Sequence, residues 1–287
     1  MTVLSSMPID HLVSFKQPPV TEVALGLQFS EPVVDLEVLA AYSARLRDFP
    51  KRQQLEPLAP AREVFGAEPS APTFTIELVP AYVMPRTWFL SEDERHLVQL
   101  QGDRLIVNWR KRDPSDTYPR YTRLRPNFEE RLSELRGCLA DARRADPAVS
   151  LVEVTYVNEL AWPDVRPGDV HPPLSRVLRA FRDEGDTAFL PRPEDSTLQS
   201  RFRISDPAAG VDSAGRLHTA LQPAFRVGDL TPIYILKMTA HLVMQMSDDA
   251  GIVRALDLGR EWVVRGFDEV TSTELHGIWG RTEGVSR

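Results

Sequence analysis

Leu97–Leu135, LVQLQGDRLIVNWRKRDPSDTYPRYTRLRPNFEERLSEL, holds half of a strand pair, all of its partner, a basic aromatic loop and the start of a helix. HLVQLQ and RLIVNWR are separated by Gly102–Asp103, a two-residue link suited to a tight hairpin. A period of two in RLIVNWR puts Leu105, Val107 and Trp109 on one face and Arg104, Ile106, Asn108 and Arg110 on the other. Asn108 and Arg110 are therefore expected to project together, away from Trp109. After the YPRY loop, Pro126–Asn127 opens an amphipathic helix to about Arg144, with Phe128, Leu132, Leu135 and Leu139 as its buried stripe.

The same stretch carries the sharpest charge anomaly. Arg104, Arg110, Lys111, Arg112, Arg120, Arg123 and Arg125 face only Asp113 and Asp116, a local +5 in a chain of net charge −7. Trp109, Tyr118 and Tyr121 interleave with these charges. Guanidinium groups beside aromatic faces bind phosphates, stack on bases or grip acidic peptides. The bland alternative is a solvated strand face whose charges pair with acids from the rest of the chain.

Working outward, VTEVALGLQF suits a strand, and Asp35 caps a helix through DLEVLAAYSARLRDF, with Leu36, Leu39 and Leu46 at helical spacing. Residues 50–72 read as a long Pro-rich loop. FTIELV and RTWFLS then lead into the central hairpin. In the second half, LVEVTYVNELAW is a strand, 163–173 a Pro-rich connection and PLSRVLRAF a helix. LQSRFRIS, GRLHTALQPAF and PIYILKMTAHLVM follow as strands, and a helix runs from about Asp248 to Glu269. The expected class is α+β: after a leader, 1–17, two similar β-α-β-β-β-α halves, 18–145 and 150–287, either separate or in one continuous domain. Their mostly antiparallel strands would form a sheet with helices packed on one side and the other face open.

A length of 287 residues, 42% hydrophobic and 26% charged, suits a soluble globular protein. The acidic balance argues against wholesale nucleic-acid wrapping, without excluding a local basic groove. Cys138, the only cysteine, is expected to be packed in a helix. The N-terminus lacks the pattern of a secretory signal, and Lys237 and His241 interrupt an apolar run already too short to span a bilayer. The expected location is the cytoplasm, with no membrane partner.

Four groups of residues, PPVTEVALGLQF, RLIVNWRK followed by YPRY, VTYVNEL and FDEVTSTELHGIWG, resemble an uncharacterised family of sporadically distributed bacterial and archaeal proteins of about this length. The resemblance spans nearly the whole chain. Patchy occurrence implies horizontally moved genes, hence a role in a mobile defence or accessory system; no catalytic residues come with it.

Familiar chemistry does not stand out. His11, His96, His171, His218, His241 and His276 are scattered, with no short-spaced ligand pair, so no metal site is expected. His218 and His241 lie in neighbouring strands and can approach each other as structural histidines. No Gly-rich phosphate loop and no GxSxG turn is present, and no cofactor is implied. Among the carboxylates Glu22, Glu77, Glu153 and Glu159, the pair Glu22 and Glu153 occupies matching places in the two halves. Asn108 and Asn158 are amides inside apolar strands, suited to securing backbone or lining a ligand surface. Trp279 is expected to anchor the C-terminal region in the core or an interface.

These readings predict a non-enzymatic protein, a sensor, adaptor or neutralising partner, that recognises another macromolecule through the sheet face or the basic loop. The partner is expected to be a protein, and a homo-oligomer is compatible. The binding candidates are Arg104, Asn108, Trp109, Arg110, Lys111, Arg112, Tyr118, Arg120, Tyr121, Arg123 and Asn158. One alternative is nucleic-acid or nucleotide binding through residues 104–125, with Trp109 or Tyr121 stacking. Another is an enzyme with an unfamiliar site between the halves, built on Glu22 or Glu153.

Overall fold

Apolar residues at every second position along the inner strands give a broad antiparallel sheet with one greasy face. The computed structural model describes residues 12–66, 84–181, 189, 193–244 and 248–282. The first half contains a short strand β1 (Ser14–Phe15), then β2 (Val20–Phe29), helix α1 (Leu36–Arg45), β3 (Lys51–Leu55) and β4 (Arg86–Leu90). The hairpin β5 (His96–Gln101) and β6 (Arg104–Arg110) and helix α2 (Tyr121–Asp141) complete it. The second half runs β7 (Val149–Leu160), α3 (Leu174–Val177), β8 (Leu198–Asp206), β9 (Val211–Phe225), β10 (Pro232–Val243), α4 (Asp249–Val270), α5 (Thr273–Trp279) and β11 (Arg281–Thr282). The nine-stranded sheet has the order β3-β4-β5-β6-β2-β7-β10-β9-β8, and every neighbouring pair is antiparallel.

Within the nine-stranded sheet the first strand of each half pairs with the last, β2 with β6 and β7 with β10, and β2 pairs with β7 to carry the sheet across the middle. The halves share this path but differ in content. In the nine-stranded sheet the first half adds β3 to β6 after β2 and the second only β8 to β10 after β7, and α3 is a single turn where α1 has ten residues. One face of the sheet presents Leu25, Leu27, Val107, Val152, Val154, Met238 and Leu217 to α2 and α4, a core in which Phe128, Leu135, Leu256 and Val263 are also fully covered. Each such side chain contributes roughly 1.5–3 kcal/mol by leaving water. Helix α4 lies very close to the sheet because position 259 is glycine. A Cβ there would stand 2.9 Å from both Leu242 and Val154 side chains. Trp279 packs against Phe267 at 5.2 Å and Phe15 at 5.8 Å, the expected anchor in the core.

Several expectations change. Lys51–Leu55, inside the stretch read as a loop, is a strand. Its residues are almost all polar and exposed because it forms an edge, so hydrophobic alternation is missing. Helix α2 starts at Tyr121, earlier than Pro126, which sits inside it. The stretch PLSRVLRAF closes after one turn. In α1 the buried positions are Val38 and Tyr42, whereas Leu36 is 60 % exposed. The strand expected at FTIELV, together with Glu77 and His11, lies outside the described residues.

Candidate functional site

The face away from the helices is set by the period of two, and it is polar. Among the described residues no helix covers it; residues 56–66 cross it as a strap. Gln101 holds the strap at Leu58 through two hydrogen bonds, Arg104 donates to the Ala59 carbonyl, and Gln28 both accepts from Ala61 N–H and donates to its carbonyl. One register row runs across all nine strands beside the strap: Gln53, Trp88, Gln99, Ile106, Gly26, Glu153, His241, Arg216 and Arg203. Gly26 makes a shallow dip near its centre, lined also by Ile106, Arg104, Ala61 and Glu153.

At one end of that row sits an aromatic-cation cluster. The Arg86 guanidinium lies 5.5 Å and that of Arg110 5.3 Å from the half-buried Trp88 ring. Trp88 Nε1 donates to Gln99 Oε1 (2.9 Å), Gln99 Nε2 to Asn108 Oδ1 (2.8 Å), and Asn108 Nδ2 to Glu22 Oε1 (2.6 Å). This chain of donors crosses four strands and fixes the amides. The Nε atoms of Arg86 and Arg110 are both buried and lack a hydrogen-bond partner. Burial pushes the Arg110 guanidinium below its ordinary pKa, against the opposing pull of Glu22. Both side chains are half-buried; Arg86 Nη1 donates to Gln99 Oε1 (3.2 Å) and Arg110 Nη2 reaches the Glu94 carbonyl (3.5 Å).

At the other end the strap delivers Glu63, whose side chain is 4 % exposed. Glu63 Oε1 accepts from His218 Nε2 (2.6 Å) and lies 2.9 Å from His241 Nδ1, while Oε2 accepts from Arg216 Nη1 (2.7 Å). The far nitrogen of His241 is 3.5 Å from Glu153, which also accepts from Thr155. Burial alone would raise the Glu63 carboxyl, but hydrogen bonds from His241, Arg216 and His218 bring it down to about 2. Burial disfavours the His241 imidazolium, yet Glu153 and Glu63 together hold its pKa up at about 9. His218 and His241 do approach, their ring centres 5.0 Å apart, and a carboxylate that the sequence could not place bridges them.

The expected binding residues do not converge on one surface. Asn108 and Arg110 share the open face as anticipated, on the side away from Trp109. Arg104 is buried under the strap and paired with Asp103 and Gln28. Trp109 is 3 % exposed on the helix side, where its ring meets Tyr118, and Tyr118 is hydrogen-bonded to Tyr156. Tyr121 is buried and donates to Asp257, to which Arg125 also pairs, tying α2 to α4. Arg120 reaches the Phe15 carbonyl, and Arg112 pairs with Glu94. Lys111 and Arg123 are exposed. Asn158 is buried on the helix side and donates to the Leu236 carbonyl. Stacking on Trp109 or Tyr121 is thus ruled out by burial, and the local +5 is spread between a strand face, a loop and a helix.

Arg86, Trp88, Gln99, Glu63 and Arg216 escaped sequence reading. RTWFLS did carry a signal: its alternation places Arg86 and Trp88 on one face, and pairing it with HLVQLQ brings Gln99 opposite Trp88. Glu63 lies in a stretch without periodicity and had none. No protein-family model matches the chain, and no curated protein sequence matches it significantly. The family resemblance therefore rests on the four quoted groups of residues alone.

Proposed function

We propose that the protein is a non-enzymatic binding protein that receives an acidic, extended segment of another protein on the open face of its sheet. The observation that carries this reading is the half-buried Trp88 ring on the open face with the half-buried guanidinium groups of Arg86 and Arg110 at 5.5 and 5.3 Å from it. A carboxylate accepts from such donors and an apolar side chain covers the indole. Five strand spacings of about 4.8 Å separate Trp88 from His241, so a peptide of roughly seven extended residues would span the row. The role fits the sensor, adaptor or neutralising partner expected from the sequence.

The same Arg-Trp-Arg group favours a second reading, binding of a nucleotide or a single strand by stacking on Trp88. Charge counts against a long polyanion. Two neutralised phosphates of a single strand give a salt slope of only about −1.4, too shallow for tight binding by a chain of net charge −7.

The test is fluorescence anisotropy with labelled glutamate-rich, neutral and lysine-rich seven-residue peptides and a short oligonucleotide. Arg110→Ala and Trp88→Ala are expected to weaken the acidic peptide by about 10-fold or more, the loss of a charge-assisted hydrogen bond or of a stacking partner. W88A should leave stability within about 1 kcal/mol, whereas W109A should cost about 3–5 kcal/mol because it empties a core position. Equal affinity for all peptides, or wild-type binding by both variants, would sink the proposal. A preference for the oligonucleotide that vanishes in W88A would establish the second reading.

A further inference from the structure

His218 on β9 and His241 on β10 belong to adjacent strands and point to the same face, and the strap brings Glu63 over both. Their ligand-type atoms, two imidazole nitrogens and one carboxylate oxygen, all lie within 4.8 Å of one another. We propose that Glu63, His218 and His241 bind one divalent transition-metal ion of the zinc class, and that this ion clamps the strap, residues 56–66, onto the open face of the sheet. This inference uses side chains separate from the Arg86, Trp88 and Arg110 cluster and does not depend on what that cluster binds.

Three features support it. The donor set, imidazole twice and carboxylate once, suits zinc, cobalt, nickel or copper and not the hard all-oxygen cations. The supporting shell is built. Glu153 faces the far nitrogen of His241, the carboxylate–histidine arrangement that orients ligating imidazoles, and Arg216 occupies Oε2 of Glu63, leaving Oε1 turned toward both rings. The charge of the group is compatible with a cation: Arg216 and the proton held by His241 balance Glu63 and Glu153, and a bound ion takes that proton's place between the two carboxylates.

The geometry asks for a small adjustment. Bonds of 2.0–2.2 Å at tetrahedral angles place ligand atoms roughly 3.3 Å apart. Glu63 Oε1 now stands 2.6 and 2.9 Å from the two nitrogens, so the carboxylate must retreat by about half an ångström. Glu63 sits on a loop rather than a strand, which makes that retreat inexpensive.

The experiment uses the full chain, stripped with a chelator and titrated with Co²⁺ for its visible absorption and with Zn²⁺ by calorimetry. The expected result is about one ion per chain. H241Q, H218Q or E63Q should each weaken it about 100-fold, and E153Q about 10-fold, the usual effect of an outer partner. Because E63Q also removes the Arg216 ion pair that holds the strap, hydrogen exchange of the wild-type chain with and without Zn²⁺ provides a second reading. Exchange should slow over residues 56–66 and beside His218 and His241. The proposal fails if neither ion binds saturably at micromolar concentration, if the H218Q/H241Q double variant binds as the wild type does, or if Zn²⁺ protects a different region.

Discussion

At the scale of single residues, His276 shows how burial settles a protonation state. It is 4 % exposed; Arg179 Nη2 lies 3.1 Å from Nδ1 and Thr271 Oγ1 lies 2.8 Å from Nε2. Because an arginine can only donate, Nδ1 must accept, which leaves the proton on Nε2 to be donated to Thr271, whose own hydroxyl donates to the Phe267 carbonyl. Burial lowers the pKa of His276 below 6.5; Asp268 opposes this, and Arg179 and Arg281 add to it. The folded state therefore binds a proton less readily than the unfolded chain. Its contribution to stability is present above about pH 6.5 and declines as pH falls through and below that value. The melting temperature should drop between pH 7.5 and 5 by more in the wild type than in H276Q, as followed by circular dichroism. A parallel decline in both would refute this assignment. Tautomer and burial were illegible in the sequence, where His276 was one of six scattered histidines. The opposite orientations of Asn108 and Trp109, by contrast, followed from alternation within one strand and were legible.

At the scale of elements, β9 and β10 approach so closely that side-chain choice is restricted. A Cβ on Gly215 would stand 2.0 Å from the His241 carbonyl oxygen, a clash with backbone that no rotamer relieves. Gly215→Ala should therefore cost roughly 3 kcal/mol, at the upper end for overpacking, by urea denaturation. It should also disturb Arg216, the next residue, and His218, three positions on. A loss below about 0.5 kcal/mol would mean that the two strands sit further apart. Helix α4 was readable because its burial is one-sided, and the central strands β2 and β6, covered on both faces, were readable from their runs of branched apolar residues. The edge strand β3 and the one-turn helix α3 were not. An exposed edge needs no apolar face, and PLSRVLRAF has the right spacing but leaves the helix at Leu178. The strap illustrates the same limit. Its position comes from Gln101, Arg104, Gln28 and Arg216, all reached across long sequence separations.

At the scale of the whole molecule, the pairing of β2 with β7 makes one sheet of two similarly routed halves. Both strands are almost fully covered, and separating the halves would bare their apolar side chains together with unpaired backbone. Residues 1–145 or 146–287 expressed alone should lack a cooperative unfolding transition, and mixing the two should restore one. A sharp transition in either fragment would show instead that each half is an independent folding unit. The sequence by itself determined the α+β class, the hairpin at Gly102–Asp103, the one-sided packing of helices and the sharing of an outer face by Asn108 and Arg110. These are properties of local period and turn chemistry, which a chain carries wherever it lies in space. Only the tertiary structure decided which arginines are sequestered, that Trp88 rather than Trp109 meets the cations, and that Glu63 joins His218 and His241. Those outcomes depend on the register between strands and on the path of a loop, which arise from contacts between residues far apart in the chain.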